Sequence, residues 1–284
     1  MSRDYNKFFF ICQVKSLLFC KNFSFFFAIL FKSPNKGIFM KVLFAPSEGK
    51  IRGGDDFFDK NTLTFKKNSR DQVLNLYQKY LNNSTLNELS KLFGLKKELE
   101  ILENQKIDIF KERTLKAIQK YDGVAYEYLS YKTLSKDAQN FIDNNLIIFS
   151  NLFGPLLAKD KIPYYRLSQG AKIGDFDISK FYKQNFSLEL DNFLKDELII
   201  DLRAKHYEKF YTIKKEFITC KFLKNGKVVS HWAKAYRGLI LKELAYHQPQ
   251  NEDEFKEINF KDLTIKEITQ KKNQKEYIFY IVNS

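Results

Sequence analysis

Three apolar runs constrain the fold of this chain more strongly than any other feature of its 284 residues. They cover residues 42–45, 146–150 and 198–200. Apolar runs without polar alternation are typical of strands covered on both faces, as in the centre of a sheet flanked by helices. Stretches with helical spacing lie between the runs. The sequence therefore predicts a mixed α/β (α+β) fold, a single compact domain with a central mixed β-sheet and flanking helices.

Polar side chains follow two of these runs. Ser47, Glu48 and Lys50 follow the first run, and Asp201 and Arg203 follow the third. If the strands lie side by side, these side chains share the edge at which open sheets bind ligands. Glu48 would then serve as a general base and the cations would hold a phosphate group. Ser47, Glu48 and Asp201 are the candidate catalytic residues, although an ordinary polar turn gives the same pattern.

Residues 85–97 predict a helical hairpin. Thr85 and Glu88 have the spacing of a capping box, Gly94 is a typical helix end, and a second helical pattern follows it. Helix, short glycine turn and helix are the outline of a helix-hairpin-helix element, which holds a DNA backbone through turn amides and nearby lysines. The lysines near this turn are Lys91, Lys96 and Lys97. A plain helical hairpin packed on the core is the alternative interpretation.

A cationic pair lies at the start of a predicted helix over residues 233–247. Lys234 and Arg237 are in or near its first turn, where each cation costs about 0.3–1 kcal/mol because the helix N-terminus carries a partial positive charge. Gly238 lowers helix propensity by about 1 kcal/mol relative to Ala. A bound phosphate would remove the charge conflict. The alternative is that both side chains point into water.

The remaining patterns predict local structure only. They are helices over residues 71–82, 112–120, 135–142 and 181–194, a turn over 121–126, a hairpin at Asn225-Gly226, and closing strands over 263–268 and 277–282.

The net charge of the chain indicates the kind of partner it binds, and its cysteine content indicates the cellular compartment. Lys and Arg together exceed Asp and Glu by 14, which favours polyanions such as DNA. Cys220 is the only cysteine after residue 39, so we expect a reducing compartment and no disulfide framework there. The three histidines are far apart in sequence. We therefore expect no metal site and no cofactor.

Residues 1–39 differ in composition from the rest of the chain. They contain ten phenylalanines and a single acidic residue, Asp4. Their apolar part, residues 16–31, is shorter than the roughly 20 residues that span a bilayer. Met40 is the only methionine besides Met1. We predict that translation begins at Met40, with residues 1–39 a mis-called start or disordered leader and 40–284 the domain; a weak membrane anchor is the alternative.

Several motifs, in their order along the chain, resemble those of the YaaA family. They are APSEGKIRGG from Ala45, KYDGVAYEYL from Lys120, LIIFSNLFGPL from Leu146, PYYRLSQG from Pro163, the pair Phe181-Tyr182, IIDLRAKHY from Ile199 and HWAKAYRG from His231. The match spans nearly all of residues 40–240, and its first motif resembles the PSE-x-K branch of the family.

The resemblance implies a cytoplasmic bacterial protein of the hydrogen peroxide stress response. It also implies that the protein lowers the level of unincorporated iron. A third implication is that it binds DNA through a compact mixed α/β fold with a helix-hairpin-helix element. The basic residues that match by position are Lys50, Arg166, Lys234 and Arg237. With the three hairpin lysines, Lys172 and Arg203 complete the predicted set of DNA- or anion-binding residues.

Two functions are consistent with these features. The first is a non-enzymatic stress protein that binds DNA without sequence preference and limits damage from iron indirectly. The alternative is an enzyme that acts on a phosphorylated small molecule or nucleotide at Ser47, Glu48 and Lys50. No membrane partner is expected unless residues 1–39 are translated.

Overall fold

The computed structural model describes residues 40–65, 68–229 and 232–282. The strands are β1 (Met40–Phe44), β2 (Gly49–Lys50), β3 (Asp56–Phe57), β4 (Arg113–Lys116), β5 (Tyr121–Asp122), β6 (Leu146–Ser150), β7 (Gly154–Leu157), β8 (Lys161–Pro163), β9 (Leu198–Leu202), β10 (Phe217–Lys224), β11 (Lys227–Val228), β12 (Leu263–Lys271) and β13 (Gln274–Ile281). The helices are α1 (Asn68–Asn83), α2 (Leu86–Phe93), α3 (Glu98–Gln105), α4 (Ala117–Lys120), α5 (Val124–Leu129), α6 (Lys136–Asn145), α7 (Ile178–Phe193), α8 (Ala233–His247) and α9 (Glu252–Glu257). The prediction for residues 1–39 concerns a segment outside the described residues.

The three apolar runs form adjacent parallel strands in the main sheet. Its strand order is β12-β13-β10-β9-β1-β6-β7, with β11 beside β10. β1 pairs in parallel with β6 and β9, so that Val42 lies opposite Leu146 on one side and Ile200 on the other. β7 and β12 run antiparallel to their neighbours. The sheet is therefore mixed, as predicted.

The hydrophobic core lies around the centre of this sheet. Every residue of β6 is buried, so both faces of the sheet are covered there. Helix α6 packs against β1 and β6, and α8 packs against β10 and α5. The described residues form one compact unit, which agrees with the predicted fold class. None of the helices within the described ranges is both long and apolar enough to cross a membrane.

Local signals in the sequence fix several helix and hairpin ends. The Thr85 and Glu88 side chains form the predicted reciprocal capping box, and Gly94 ends α2 in a left-handed conformation at φ 66°. Helix α3 starts at Glu98, a few residues later than the pattern suggests. At the β10–β11 hairpin, Asn225 and Gly226 both have positive φ angles, as this turn type requires.

Two local predictions are wrong. Residues 112–120, predicted as a helix, form strand β4 and then the short helix α4. Strand β4 is held between β3 and β8, with Thr114 opposite Asp56 and Pro163; pairing with distant segments overrides the local helical spacing. Residues 121–126, predicted as a turn, contain β5, which pairs with β2, and the start of α5.

Candidate functional site

A cavity of about 340 Å³ opens beyond the carboxyl ends of β1 and β9. The turn after β1 contributes Pro46, Ser47 and Glu48 to its wall, and β9 contributes Leu202. Helix α5 and the first turns of α8 close the other side, the latter with Arg237. The cavity therefore lies at the sheet edge that the strand pattern predicts as a ligand site.

Glu48 is anchored at the rim of this cavity. Its Oε1 accepts a hydrogen bond from the Gln169 backbone N–H at 2.9 Å, and its Oε2 lies 3.6 Å from Arg166 Nη2. The Arg166 Nε donates to the Phe93 carbonyl at 3.0 Å. Arg166 thus connects the end of α2 to the carboxylate that follows β1. Ser47 lines the cavity, and its hydroxyl makes no hydrogen bond to another described residue.

Lys50 lies beneath the same turn rather than in the cavity wall. Its Nζ donates to the carbonyl groups of Ser47 and Glu48 at 3.1 and 3.2 Å, and it lies 4.2 Å from the centre of the Tyr165 ring. Burial lowers the pKa of Lys50 to about 7, the Arg166 charge acts in the same direction, and Glu48 opposes both. Lys50 therefore holds the turn in place and is a weaker anion ligand than a solvated lysine.

Helix α8 brings two cations to the cavity. Lys234 is exposed, Arg237 is partly buried, and both line the wall. Burial lowers the pKa of Arg237, against the influence of Cys220, Asp201 and other acidic groups. No side chain caps the start of α8. The two cations at this helix N-terminus, where positive charge is unfavourable, therefore line the same cavity.

Gly238 has a steric role that its helix propensity does not suggest. A Cβ atom at this position would lie 2.2 Å from the Ala125 carbonyl oxygen. Glycine thus lets α8 approach the backbone of α5 where both helices line the cavity. The close approach explains why the chain has a poor helix former next to Arg237.

Asp201 and Arg203 form a buried ion pair that does not line this cavity. Arg203 Nε and Nη2 donate to the two Asp201 carboxylate oxygens at 2.9 and 2.8 Å. Arg203 Nη1 donates to the carbonyl groups of Tyr207 and Tyr211. Both charged residues line a second cavity with Lys205 and Glu208. Each side chain satisfies the charge of the other, and the predicted roles of Asp201 in catalysis and of Arg203 in anion binding stay predictions.

Side-chain alternation explains this separation. Successive residues of a strand point to opposite faces. Leu202 faces the first cavity, whereas Asp201 and Arg203, one residue before and after it, face the second. Strand order therefore brings the two polar clusters to one sheet edge, and the strand period places them on different faces.

The helical hairpin adjoins the rim of the first cavity. Lys91, Lys96 and Lys97 are exposed, and Lys97 pairs with Glu100 at 3.0 Å. A Cβ atom on Gly94 would lie 2.7 Å from Ser168 Oγ, and Ser168 is the neighbour of Gln169 in the cavity wall. The turn between α2 and α3 is thus continuous with the rim that holds Glu48.

Lys172 is exposed just beyond this rim. It lies in the segment between Gln169 and α7, and its charge helps to lower the pKa of Asp177. The hairpin lysines, Arg166, Lys172, Lys234 and Arg237 are therefore all placed on or near the cavity and its rim, whereas Arg203 is withdrawn into an ion pair.

Sequence reasoning missed Tyr207, which lines the cavity and is 4% exposed. It lies in the short 3-10 helix Lys205–Phe210, whose position depends on the hydrogen bond from Arg203 to the Tyr207 carbonyl. The only sequence signal was its place in the motif after β9. A tyrosine there is more often a core residue than a ligand contact.

The described part of the chain contains no cluster of metal-ligating side chains and no activated thiol. No group of three or more His, Cys, Asp or Glu side chains there could hold a metal ion. Cys220 is free, and burial raises the pKa of its thiol. A thiol that stays protonated reacts slowly with peroxide, because the thiolate is the nucleophile.

Comparison with known proteins identifies the family. A family model described as peroxide stress protein YaaA matches residues 40–269. An uncharacterized protein of Campylobacter jejuni is 48% identical over 218 residues, which cover 76% of this chain and 88% of the relative. A UPF0246 protein of Fusobacterium nucleatum is 30% identical over 254 residues, covering 86% of this chain and all of the relative. The sequence resemblance is confirmed, and the chain belongs to the YaaA family of peroxide stress proteins.

Proposed function

We propose that this peroxide stress protein acts in the cytoplasm by binding duplex DNA without sequence preference, and that it limits damage from unincorporated iron indirectly. The observation that carries the proposal is the hairpin turn between α2 and α3, whose lysines lie beside the cationic rim of the cavity. The surplus of 14 positive charges in the whole chain supports a polyanionic partner.

The hairpin offers backbone donors as well as side-chain charge. Helix α3 starts without a side-chain cap at Lys97, so the amide N–H groups of its first turn are free of side-chain acceptors. Lys96 and Lys97 flank these amides and are exposed. Amides at a helix start and adjacent lysines bind phosphate oxygens independently of base sequence.

The cations beyond the hairpin extend this surface. Arg166 connects Phe93, at the end of α2, to Glu48 at the cavity rim. Lys172 follows the rim segment in sequence, and Lys234 is exposed at the start of α8. Contacts spread over several backbone phosphates would make the affinity strongly dependent on salt concentration.

An indirect action on iron fits the side chains that are present. Bound protein would shield the DNA backbone from radicals formed by peroxide and loose iron. Neither a metal cluster nor a reactive thiol is found among the described residues, so protection by contact with DNA needs no further chemistry from this chain.

Salt-dependent fluorescence anisotropy on a labelled duplex tests the proposal. The hairpin variant replaces Lys91, Lys96 and Lys97 with Gln. The control variant replaces three exposed lysines in or beside edge strand β12 with Gln, namely Lys261, Lys266 and Lys271. Both variants lose three charges. In the hairpin variant the negative slope of log affinity against log salt concentration should become shallower by about 2 to 3, since each lost phosphate contact removes about 0.9 from its magnitude.

The control variant shows whether DNA binding depends on a defined surface or only on the net charge of the protein. It should keep the wild-type slope within about 0.5, because its lysines lie outside the proposed surface. Equal loss in both variants would show that only total charge matters. Wild-type affinity that stays constant between about 50 and 200 mM salt would contradict DNA binding through phosphates.

A further inference from the structure

Arg237 is a partly buried cation without a partner among the described residues. It lines the cavity, and it makes no hydrogen bond or ion pair with another described residue. The carboxylate with the largest influence on the Arg237 pKa, Asp201, is already paired with Arg203. A buried charge is costly unless it is paired. An anion inside the cavity would supply the missing partner.

Tyr207 presents an unused hydroxyl to the same space. Its side chain is 4% exposed and lines the cavity, yet its hydroxyl makes no hydrogen bond with any other described residue. The neighbouring tyrosines differ: Tyr121 pairs with Tyr165, and Tyr126 donates to the Ala45 carbonyl. Buried hydroxyl groups normally have a partner, so the Tyr207 hydroxyl is available to a ligand.

The remaining wall suits a flat apolar group. Phe44 and Tyr126 meet edge to face with their ring centres 5.7 Å apart, and both line the cavity beside Val124 and Leu202. The volume of about 340 Å³ lies at the lower end of the range for small-molecule sites, roughly 300–1,000 Å³. One nucleotide-sized molecule fits such a space, whereas a duplex does not.

Glu48 adds the opposite charge to the cavity. Its oxygens contact the Gln169 N–H, the Ser168 hydroxyl and Arg166, and a carboxylate has about four acceptor positions, so it can accept one further hydrogen bond. A cavity with Arg237 and Lys234 as well as Glu48 complements a ligand that carries an anionic group together with N–H donors. Sugar hydroxyls and the amino group of a nucleobase can both donate to this carboxylate, and the apolar wall of Phe44 and Tyr126 is what favours a nucleobase over a simple sugar phosphate.

We propose that this cavity binds a nucleoside monophosphate. The phosphate lies against Arg237 and Lys234 at the uncapped start of α8, the base packs on Phe44 and Tyr126, and an amino group of the base donates to Glu48. The Tyr207 hydroxyl bonds the ribose or the phosphate. The ligand is either a free nucleotide or an unpaired nucleotide of a DNA strand, since both present the same groups.

Isothermal titration calorimetry with adenosine monophosphate, adenosine and inorganic phosphate tests the binding chemistry. Adenosine monophosphate should bind at least ten times more tightly than either fragment. The Arg237→Met variant should weaken adenosine monophosphate at least tenfold and leave adenosine within twofold, because only the phosphate contact is lost. The Lys266→Met variant, which removes an equal charge from the exposed edge strand β12, should match the wild type.

A second pair of variants guards against a folding defect. Lys234→Met changes an exposed side chain and should still weaken adenosine monophosphate by threefold or more. Tyr207→Phe removes only the hydroxyl and should weaken it severalfold. Absence of adenosine monophosphate binding to the wild type would overturn the proposal. So would equal affinity in the wild type, Lys234→Met and Tyr207→Phe.

Competition distinguishes the two sources of the nucleotide. A single-stranded oligonucleotide that displaces adenosine monophosphate, and needs Arg237 to do so, assigns the site to a DNA strand; failure to displace it assigns the site to free nucleotide. The hairpin variant Lys91→Gln, Lys96→Gln, Lys97→Gln should keep its affinity for adenosine monophosphate while losing duplex affinity. Failure of duplex binding in every protein would therefore refute the proposed function and leave the nucleotide site intact.

Discussion

Substitutions in the buried ion pair of Asp201 and Arg203 test whether this pair stabilises the fold. Their side chains are 6% and 2% exposed, and the two charges meet through two hydrogen bonds. Asp201→Asn keeps the shape and one acceptor but removes the negative charge. Arg203 would then remain charged in an apolar setting, 4.7 Å from the Phe149 ring centre.

The expected cost is large. Removing one partner of a buried ion pair costs about 3–5 kcal/mol, because the remaining charge is buried without compensation. Asparagine retains part of the hydrogen bonding, so we expect about 3 kcal/mol in the free energy of unfolding. With a urea dependence of about 1–3 kcal/mol per molar, the unfolding midpoint should fall by about 1 M or more.

Urea unfolding monitored by circular dichroism provides the measurement. Asp253→Asn is a matched control, since Asp253 is 87% exposed in its ion pair with Lys256; surface pairs contribute about 0–1 kcal/mol. The double variant Asp201→Asn, Arg203→Met should lose less stability than the sum of the two single changes. A loss below about 1 kcal/mol in Asp201→Asn would refute the structural role.

Three further outcomes follow from the geometry. Gly238→Ala should lower the free energy of unfolding by about 1–3 kcal/mol in urea titrations despite its better helix propensity, because the added methyl meets the Ala125 carbonyl; Lys234→Ala on the same helix should stay within about 0.5 kcal/mol. Burial lowers the Lys50 pKa from 10.5 to about 7, so the unfolded chain binds more protons than the folded chain between these pH values. The free energy of unfolding relative to Lys50→Met should therefore rise with pH by up to about 1.4 kcal/mol per unit. If this difference in free energy, measured from pH 7 to 10, stays flat or falls, the prediction is wrong. Glu48→Gln should leave duplex affinity unchanged or slightly tighter in anisotropy, because it removes a negative charge from the rim.

The central strands of the sheet could be predicted because they are apolar runs. Residues 42–45, 146–150 and 198–200 have the pattern of strands covered on both faces, and the structure places them side by side. Residues 112–120 lacked such a signal. Their strand exists because β3 and β8 pair with it, which no local pattern records.

The candidate site was predictable in part. The cations at the start of α8 conflict with local helix rules, and the structure places both in the cavity wall. The pairing of Asp201 with Arg203 also had a signal, since residues two apart in a strand share a face. Tyr207 had only its place in the motif after β9, because its role depends on a cavity made by β1, β9, α5 and α8, which exists only after folding.

Hydrogen–deuterium exchange with and without duplex DNA tests most directly whether the hairpin turn and the cavity rim form one phosphate-binding surface. We predict slower exchange on DNA addition at backbone amides of residues 94–99 and 168–170, and at the start of α8. Protection confined to β12 and β13, at the far edge of the sheet, with no change at the hairpin turn, would contradict it.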